Sequence, residues 1–378
     1  MPIECAWANA RIVTPDEIFV GSVLSRDGVI ASVDRGSSVP AGASDLGGDY
    51  LLPGRVELHT DNVEKHVKPR PGIVWPSIQA ALIAHDRQVV SAGLTTVFDA
   101  LGCGAIEENP VRQKLLTDLV NGIRQAEGAG TLRAEHLVHL RCELCDPNMR
   151  NSFDEIVMDP AVRLVSVMDH SPGQRQYKDA MSLRRAMGWN EEAHAHAQIA
   201  TLMHASAEIA PPMRRHVAQV ARARGIVLAS HDDSTEAHIE EAVQLGISIA
   251  EFPTTRVAAE TARRAGMRTL LGAPNVVRGG SHTGNVSVAA LAAEGFVDAL
   301  SSDYYPSSLL EAAFVLHRKG GLSLGAAVGA ASENPARMVG LGDRGRIAAD
   351  QRADLLRVRE FDGFPVVLRV WRAGRRVF

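Results

Sequence analysis

Aromatic side chains are scarce in this chain: Trp, Tyr and Phe together make 4% of it. Packing therefore falls to Ala, Val, Leu and Gly, as in many α/β enzymes. Cysteine is scarcer still. Cys5, Cys103, Cys142 and Cys145 are too few and too scattered for a disulfide framework. The lone Cys142-x-x-Cys145 lacks the second pair a zinc ribbon needs, so both read as buried strand thiols. No apolar run reaches the roughly 18 residues of a membrane span. There is no excess of positive charge either: the formal net charge is -4 and the pI about 6.4. That excludes a general nucleic-acid binder, although local arginines can still hold a small polyanion. The opening residues, MPIECAWANARIVTPDE, carry no basic stretch followed by an apolar one. The expectation is a cytoplasmic protein with neither nucleic acid nor membrane as partner.

Two kinds of pattern are present. Residues 1–50 alternate as short strands between Pro, Asp and Gly turns, and residues 340–378 read the same way. The two ends are expected to build one small composite β domain, a β-sandwich. Between them, residues 51–339 alternate apolar runs with helical stretches. The runs are LLPGRVELHTD, GLTTVFDAL, EHLVHLRCELCD, RLVSVMDHSPG, GIVLASHDD, SIAEFPTT, TLLGAPN and VDALSSDYYP. Eight such units predict a closed (β/α)8 barrel of the α/β class, with a helical insertion near residues 173–224.

In such a barrel the active site lies at the carboxyl ends of the strands, and these ends are unusually polar. Strand one ends in His59-Thr60-Asp61, strand three at Glu143, strand four in Asp169-His170, strand five in His231-Asp232-Asp233, strand eight at Asp303. Alternation along a strand lets His59 and Asp61 share one face. The imidazoles of His59, His170 and His231, pooled with the carboxylates of Asp61, Glu143 and Asp303, suit Zn2+, Mn2+ or Fe2+. Six ligands exceed the need of one tetrahedral ion and suit two divalent ions, with Zn2+ the first choice. A bound metal lowers the pKa of water and makes a nucleophile available near neutral pH. For Glu143 the alternative is an ion pair with Arg141 or another nearby basic residue. The histidines His85, His194, His196 and His238 fall on helical patterns and read as surface or packing residues, and His204, in the helical insertion, as a solvated or capping one.

These motifs, with the tail ENPARMVGLGDRGRIAADQRADLL, resemble the amidohydrolase superfamily. The segments LLPGRVELHTDNVEKHVKPRPGIVWP, SVMDHSPGQRQY, GAPNVVRGGSHTGN and LSSDYYPSSLLEAAF resemble a branch of it that serves phosphonate breakdown. The resemblance implies hydrolysis of a ribose 1-methylphosphonate 5-triphosphate to the 5-phosphate and diphosphate. It implies metal ligands at His59, Asp61, Glu143, His170, His231 and Asp303, with Asp303 also the catalytic residue. A phosphorylated-ribose substrate needs donors, and the sequence offers Lys65, Arg70, Arg175, Arg278, Ser281 and His282. The last three lie in the Gly-rich stretch RGGSHTGN, where close backbone approach favours phosphate. Two other readings stay open: hydrolysis of a C–N bond, and a non-catalytic subunit of a phosphonate-processing assembly. A homo-oligomer is expected.

Overall fold

A computed structural model describes residues 4–106, 110–281 and 284–378. In chain order its strands are β1 Glu4–Val13, β2 Ile18–Arg26, β3 Val29–Arg35, β4 Ser44–Asp45, β5 Tyr50–Pro53, β6 Arg55–Thr60, β7 Leu94–Cys103 and β8 Glu135–Glu143. They continue with β9 Val162–Met168, β10 Val227–His231, β11 Ile249–Glu251, β12 Arg268–Gly272, β13 Ala299–Ser301, β14 Leu355–Phe361, β15 Phe364–Arg372 and β16 Arg375–Arg376.

The eight apolar runs supply the eight strands of one sheet, in the order β13-β12-β11-β10-β9-β8-β7-β6, except that the opening LLP of the first run, expected to begin the barrel, belongs to β5 in the other sheet. Every residue of β6 and β7 is buried. Burial on both faces is why these strands read as continuous apolar runs rather than as alternating ones. A parallel bridge between Thr60 and Asp303 joins the two outermost strands and nearly closes the barrel. Capping residues fix where the intervening helices begin. Thr235 accepts a hydrogen bond from the His238 N–H and Thr255 from that of Ala258. The connection over residues 173–224 carries the helices Ala180–Met187, Glu192–Glu208 and Ala210–Ala223.

The chain ends supply a separate mixed sheet, β16-β15-β14-β5-β1-β2-β3, with β4 paired to β1. Val29 of β3 bridges Arg352, just ahead of β14, although β5, β1 and β2 lie between those strands in the order. The sheet therefore curls over on itself and encloses its own core. Trp7 and Trp371 meet there edge to face, ring centroids 5.4 Å apart, among Ile12, Ile30, Leu51 and Leu355.

The chain divides into two compact units, one of Met1–Asp99, Gln125–His136 and Gly272–Phe378, the other of Ala100–Arg124 and Leu137–Leu271. In the first, the tail DRGRIAADQRAD is held through its arginines. Arg344 reaches Glu135 at 2.6 Å and Thr96 Oγ1 at 3.0 Å, and Arg352 bonds the same two residues. Among the described residues no helix is long and apolar enough to cross a membrane.

Candidate metal centre

In the first unit the site starts from the end of β6. Glu57, two residues before His59, points into the fold and accepts hydrogen bonds from the His59 N–H (2.8 Å), the Ser301 hydroxyl (2.8 Å) and the Ser302 N–H (2.7 Å). Burial pushes its carboxyl up to about 7, although those donors pull the other way. Glu57 thus ties the His59 backbone to the segment that carries Asp303. Asp303 has φ 53°, a left-handed conformation that ends strand alternation and re-aims the side chain. Its N–H donates to the His59 carbonyl at 3.1 Å, and its own carbonyl accepts from Thr60 Oγ1 (2.9 Å) and Asp61 N (3.3 Å). Asp61 occupies the N-cap position of the helix Asn62–Val67 but makes no capping bond, and its Oδ1 is buried with no hydrogen-bond partner among the described residues.

The donor candidates of this unit differ in placement. Lys65 donates to the Tyr304 carbonyl, next to Asp303, and its ammonium stands 5.2 Å from the Tyr304 ring centroid. Arg70 and Arg278 are exposed, Arg278 as the last residue of the helix Ala273–Arg278, which Gly279 ends with φ 77°. Ser281 is half-buried. His282 lies outside the described residues.

In the second unit Glu143 ends β8 and bonds the Nδ1 of His170 through Oε2, so it is His170 and not Arg141 that it pairs with. His231 ends β10; its Nδ1 bonds Glu251 Oε2 at 2.6 Å and its Nε2 stands 3.3 Å from Asp232 Oδ2. With Nδ1–H donated to the carboxylate, Nε2 is the nitrogen left to bind a metal. His170, His231 and Asp232 each bring a ligand atom within 4.8 Å of the other two. Two ligands of one tetrahedral Zn2+, each at about 2.1 Å, stand about 3.4 Å apart, close to the His231–Asp232 spacing. Asp232 and Phe252, following β10 and β11, are left-handed like Asp303. Such strained residues cluster at functional strand ends.

The arrangement fits divalent cations. Glu143, Asp232 and Glu251 are all buried in the second unit, and buried carboxylates need compensating positive charge. Burial would lower the His231 pKa, but Asp232 and Glu251 raise it, a field that equally favours a metal ion.

Arg175 departs from expectation. It is buried, its guanidinium bonds Asp233, and it also approaches the His231 carbonyl (3.4 Å) and Glu241 (3.6 Å). Its charge is engaged by the protein rather than held free for phosphate. Asp169 is likewise structural: Ser171, Cys145 and Ser206 donate to its carboxylate, and Arg214 stands 3.8 Å away.

Two groups escaped the sequence reading. Glu251 ends the sixth strand, and the rule applied to the other strand ends, a carboxylate closing an apolar run, would have found it. The other is a fully buried His85–Asp99–His136 cluster in the first unit. His85 Nε2 meets Asp99 Oδ1 at 2.7 Å, His136 Nδ1 meets Asp99 Oδ2 at 2.8 Å, and His136 Nε2 meets Asp86 Oδ1 at 3.3 Å. Asn62 links it to the helix behind His59-Thr60-Asp61, with its Nδ2 3.0 Å from His85 Nδ1. Burial opposes the charges, yet Asp99 and Asp86 hold His136 up at about 10, and the two histidines hold Asp99 far below the usual carboxylate range. His85, expected as a surface or packing residue, is buried and hydrogen-bonded at both ring nitrogens.

The sequence profile of the Amidohydrolase family matches residues 138–378. The α-D-ribose 1-methylphosphonate 5-triphosphate diphosphatase of Escherichia coli (strain K12) is 42% identical over 375 residues, 98% of this chain and 99% of that protein. Among solved structures, 5-methylcytosine deaminase from Klebsiella pneumoniae, liganded with 5-fluorocytosine, superimposes with a TM-score of 0.66 at 16% identity, covering 100% of this chain and 97% of that one. N-acetylglucosamine-6-phosphate deacetylase from Pasteurella multocida gives 0.64 at 13% identity, covering 99% of each. At such identities these two likenesses concern the fold alone.

Proposed function

The chain belongs to the Amidohydrolase family, whose members are metal-dependent hydrolases, and from that premise we propose that it cleaves α-D-ribose 1-methylphosphonate 5-triphosphate to the 5-phosphate and diphosphate. The observation that carries this reading is the 42% identity to the Escherichia coli diphosphatase, sustained over nearly the whole of both chains. The test is product analysis with metal-loaded protein. Diphosphate release from the triphosphate is expected. Ammonia or a carboxylate released from C–N substrates with no diphosphate, or triphosphate bound without turnover, overturns the reading.

Two ligand sets would hold the metal: His59, Asp61 and Asp303 in the first unit, Glu143, His170 and His231 in the second. The proposed complement is two divalent ions, Zn2+ first, with Mn2+ and Fe2+ as alternatives. Bound there, such ions supply Lewis acidity and lower the pKa of water. The chain does the rest. Asp303 Oδ takes the proton from the attacking water, and its left-handed backbone, tied to His59 and Thr60, fixes where that oxygen stands. Lys65, Arg70, Arg278, Ser281 and His282 are proposed to contact phosphate oxygens. Electrostatic positioning of this kind is the main contribution expected in phosphoryl transfer.

The remaining parts of the reading are proposals of the same rank. The catalytic barrel follows β5 and runs to residue 339, with the residues up to the end of β5 and residues 340–378 as its composite β domain. The enzyme works in the cytoplasm as a homo-oligomer, on a small phosphorylated ribose, with neither nucleic acid nor membrane as partner.

A further inference from the structure

The interior of the second unit is layered, and one layer contains an arginine that no part of the site described so far uses. Register pairs Glu143 with Met168 and, two residues back along β8, Arg141 with Ser166. Ser166 in turn pairs with Ala229, and Ala229 with Ile249, while His231 pairs with Glu251. Paired residues of parallel strands point to one face, and so do residues two apart on a strand. Arg141, Ser166, Ala229 and Ile249 therefore form the layer directly beneath Glu143, Met168, His231 and Glu251.

This lower layer is built to leave room. Ser166 and Ala229 are small, and Ser166 is already bonded to His139 Nε2 at 2.9 Å. Ser166, Ala229, Leu140 and Cys142 are 0% exposed, yet Arg141 between them is only half-buried. Its long side chain therefore leaves its own layer and reaches space open to solvent. The nearest such space lies at the carboxyl end of β8, where Arg141 shares a face with Glu143 two residues on.

Arg141 also lacks a claimant. Its Nε is buried with no hydrogen-bond partner among the described residues. Glu143 is taken by His170, and Asp233 by Arg175. A buried donor of a guanidinium left unsatisfied is costly unless a ligand completes it.

We propose that Arg141 is a specificity-determining residue that grips phosphate oxygens of the substrate from beneath the ligands Glu143 and His231. A guanidinium fork suits two oxygens of a phosphate, and a neutral cyclic amide offers nothing equivalent. It takes the part that the sequence assigned to Arg175, whose charge Asp233 holds. The identification of the ligand as a phosphate rests on the triphosphate reading above, so the test separates the two.

Wild type, Arg141→Met and Arg141→Lys are compared as metal-loaded enzymes in three measurements: metal content, binding of inorganic diphosphate by calorimetry, and turnover of the triphosphate. Arg141→Met is expected to weaken diphosphate binding and raise KM by on the order of 10- to 100-fold, with metal content unchanged. Arg141→Lys is expected to lose less, and added guanidinium ion to restore part of the Arg141→Met loss. Equal diphosphate affinity and KM in wild type and both variants overturns the proposal, as does loss of metal with diphosphate affinity per metal-loaded site unchanged. If Arg141→Met does not fold, Arg141→Lys decides through the same diphosphate and KM comparison. A wild type that binds diphosphate through Arg141 but releases none from the triphosphate defeats the triphosphate reading and leaves Arg141 as an anion contact.

Discussion

The backbone N–H of Asp303 donates to the carbonyl of His59 at 3.1 Å, so the last strand of the barrel is fastened to the first at two candidate metal ligands. Thr60 completes the link, its hydroxyl bonding the Asp303 carbonyl at 2.9 Å. Barrel closure and ligand placement are thus one structural event. The Asp303 backbone is held independently of its carboxylate.

That independence makes Asp303→Asn informative. The substitution keeps the backbone bonds to His59 and Thr60 while removing a proton acceptor. Turnover is expected to fall by on the order of 10²–10⁴-fold, with metal content reduced only modestly and the melting temperature held. Diphosphate release and metal analysis check this. Turnover near the wild-type level removes Asp303 from the chemistry.

His231→Ala and His170→Ala are each expected to lower metal content, because each removes an imidazole from the group of ligand atoms that includes Asp232. Metal analysis of the purified variants decides. Full occupancy in both would exclude the second unit's assignment.

The buried cluster predicts a pH dependence of stability. His136 rises from its ordinary 6.5 to about 10 in the fold because Asp99 and Asp86 outweigh burial. A raised basic group stabilises fully below its unfolded pKa, and the contribution is lost as pH rises through the folded one. Melting temperature should therefore decline between about 6.5 and 10. Asp99→Asn should cost about 3–5 kcal/mol, as when one partner of a buried pair is removed, and should flatten the decline. Thermal melts across that range test it; an Asp99→Asn protein with wild-type stability refutes the role.

The four cysteines are free, with Cys5 half-buried and Cys103, Cys142 and Cys145 buried. Burial also raises the Cys142 and Cys145 thiols, which keeps them protonated and unreactive. A thiol reagent at neutral pH should label only Cys5 in the native protein and all four cysteines after denaturation. Cys142 lies in β8 but Cys145, expected as a strand thiol too, falls in the turn after it, and rapid native labelling of either contradicts its burial.

Much of this molecule was legible in the sequence, for a reason internal to parallel sheets. A strand covered on both faces must be apolar throughout, so each of the eight announced itself as a run, and the first polar residues after it marked its carboxyl end. That rule singled out His59, Asp61, Glu143, His170, His231 and Asp303, and each lies at or within two residues of the end of its strand. Glu251 closes the run SIAEFPTT and follows the same rule, although it was not among the residues that the rule was applied to.

What local sequence determined is which element each residue occupies and which way alternation turns it. What only the tertiary structure decided is who partners whom. In the sequence, Arg175 in PGQRQY reads as a phosphate donor, while Arg141 in HLRCE enters only as an alternative partner of the candidate ligand Glu143. The fold decides the partners: Asp233, 58 residues on, bonds Arg175, while His170 bonds Glu143, and the Arg141 Nε has no hydrogen-bond partner among the described residues. Likewise Asp99 meets His136 across 37 positions. Charge pairing in a low-dielectric interior depends on distances of a few ångströms, and in a barrel those distances are set by register between strands far apart in the chain.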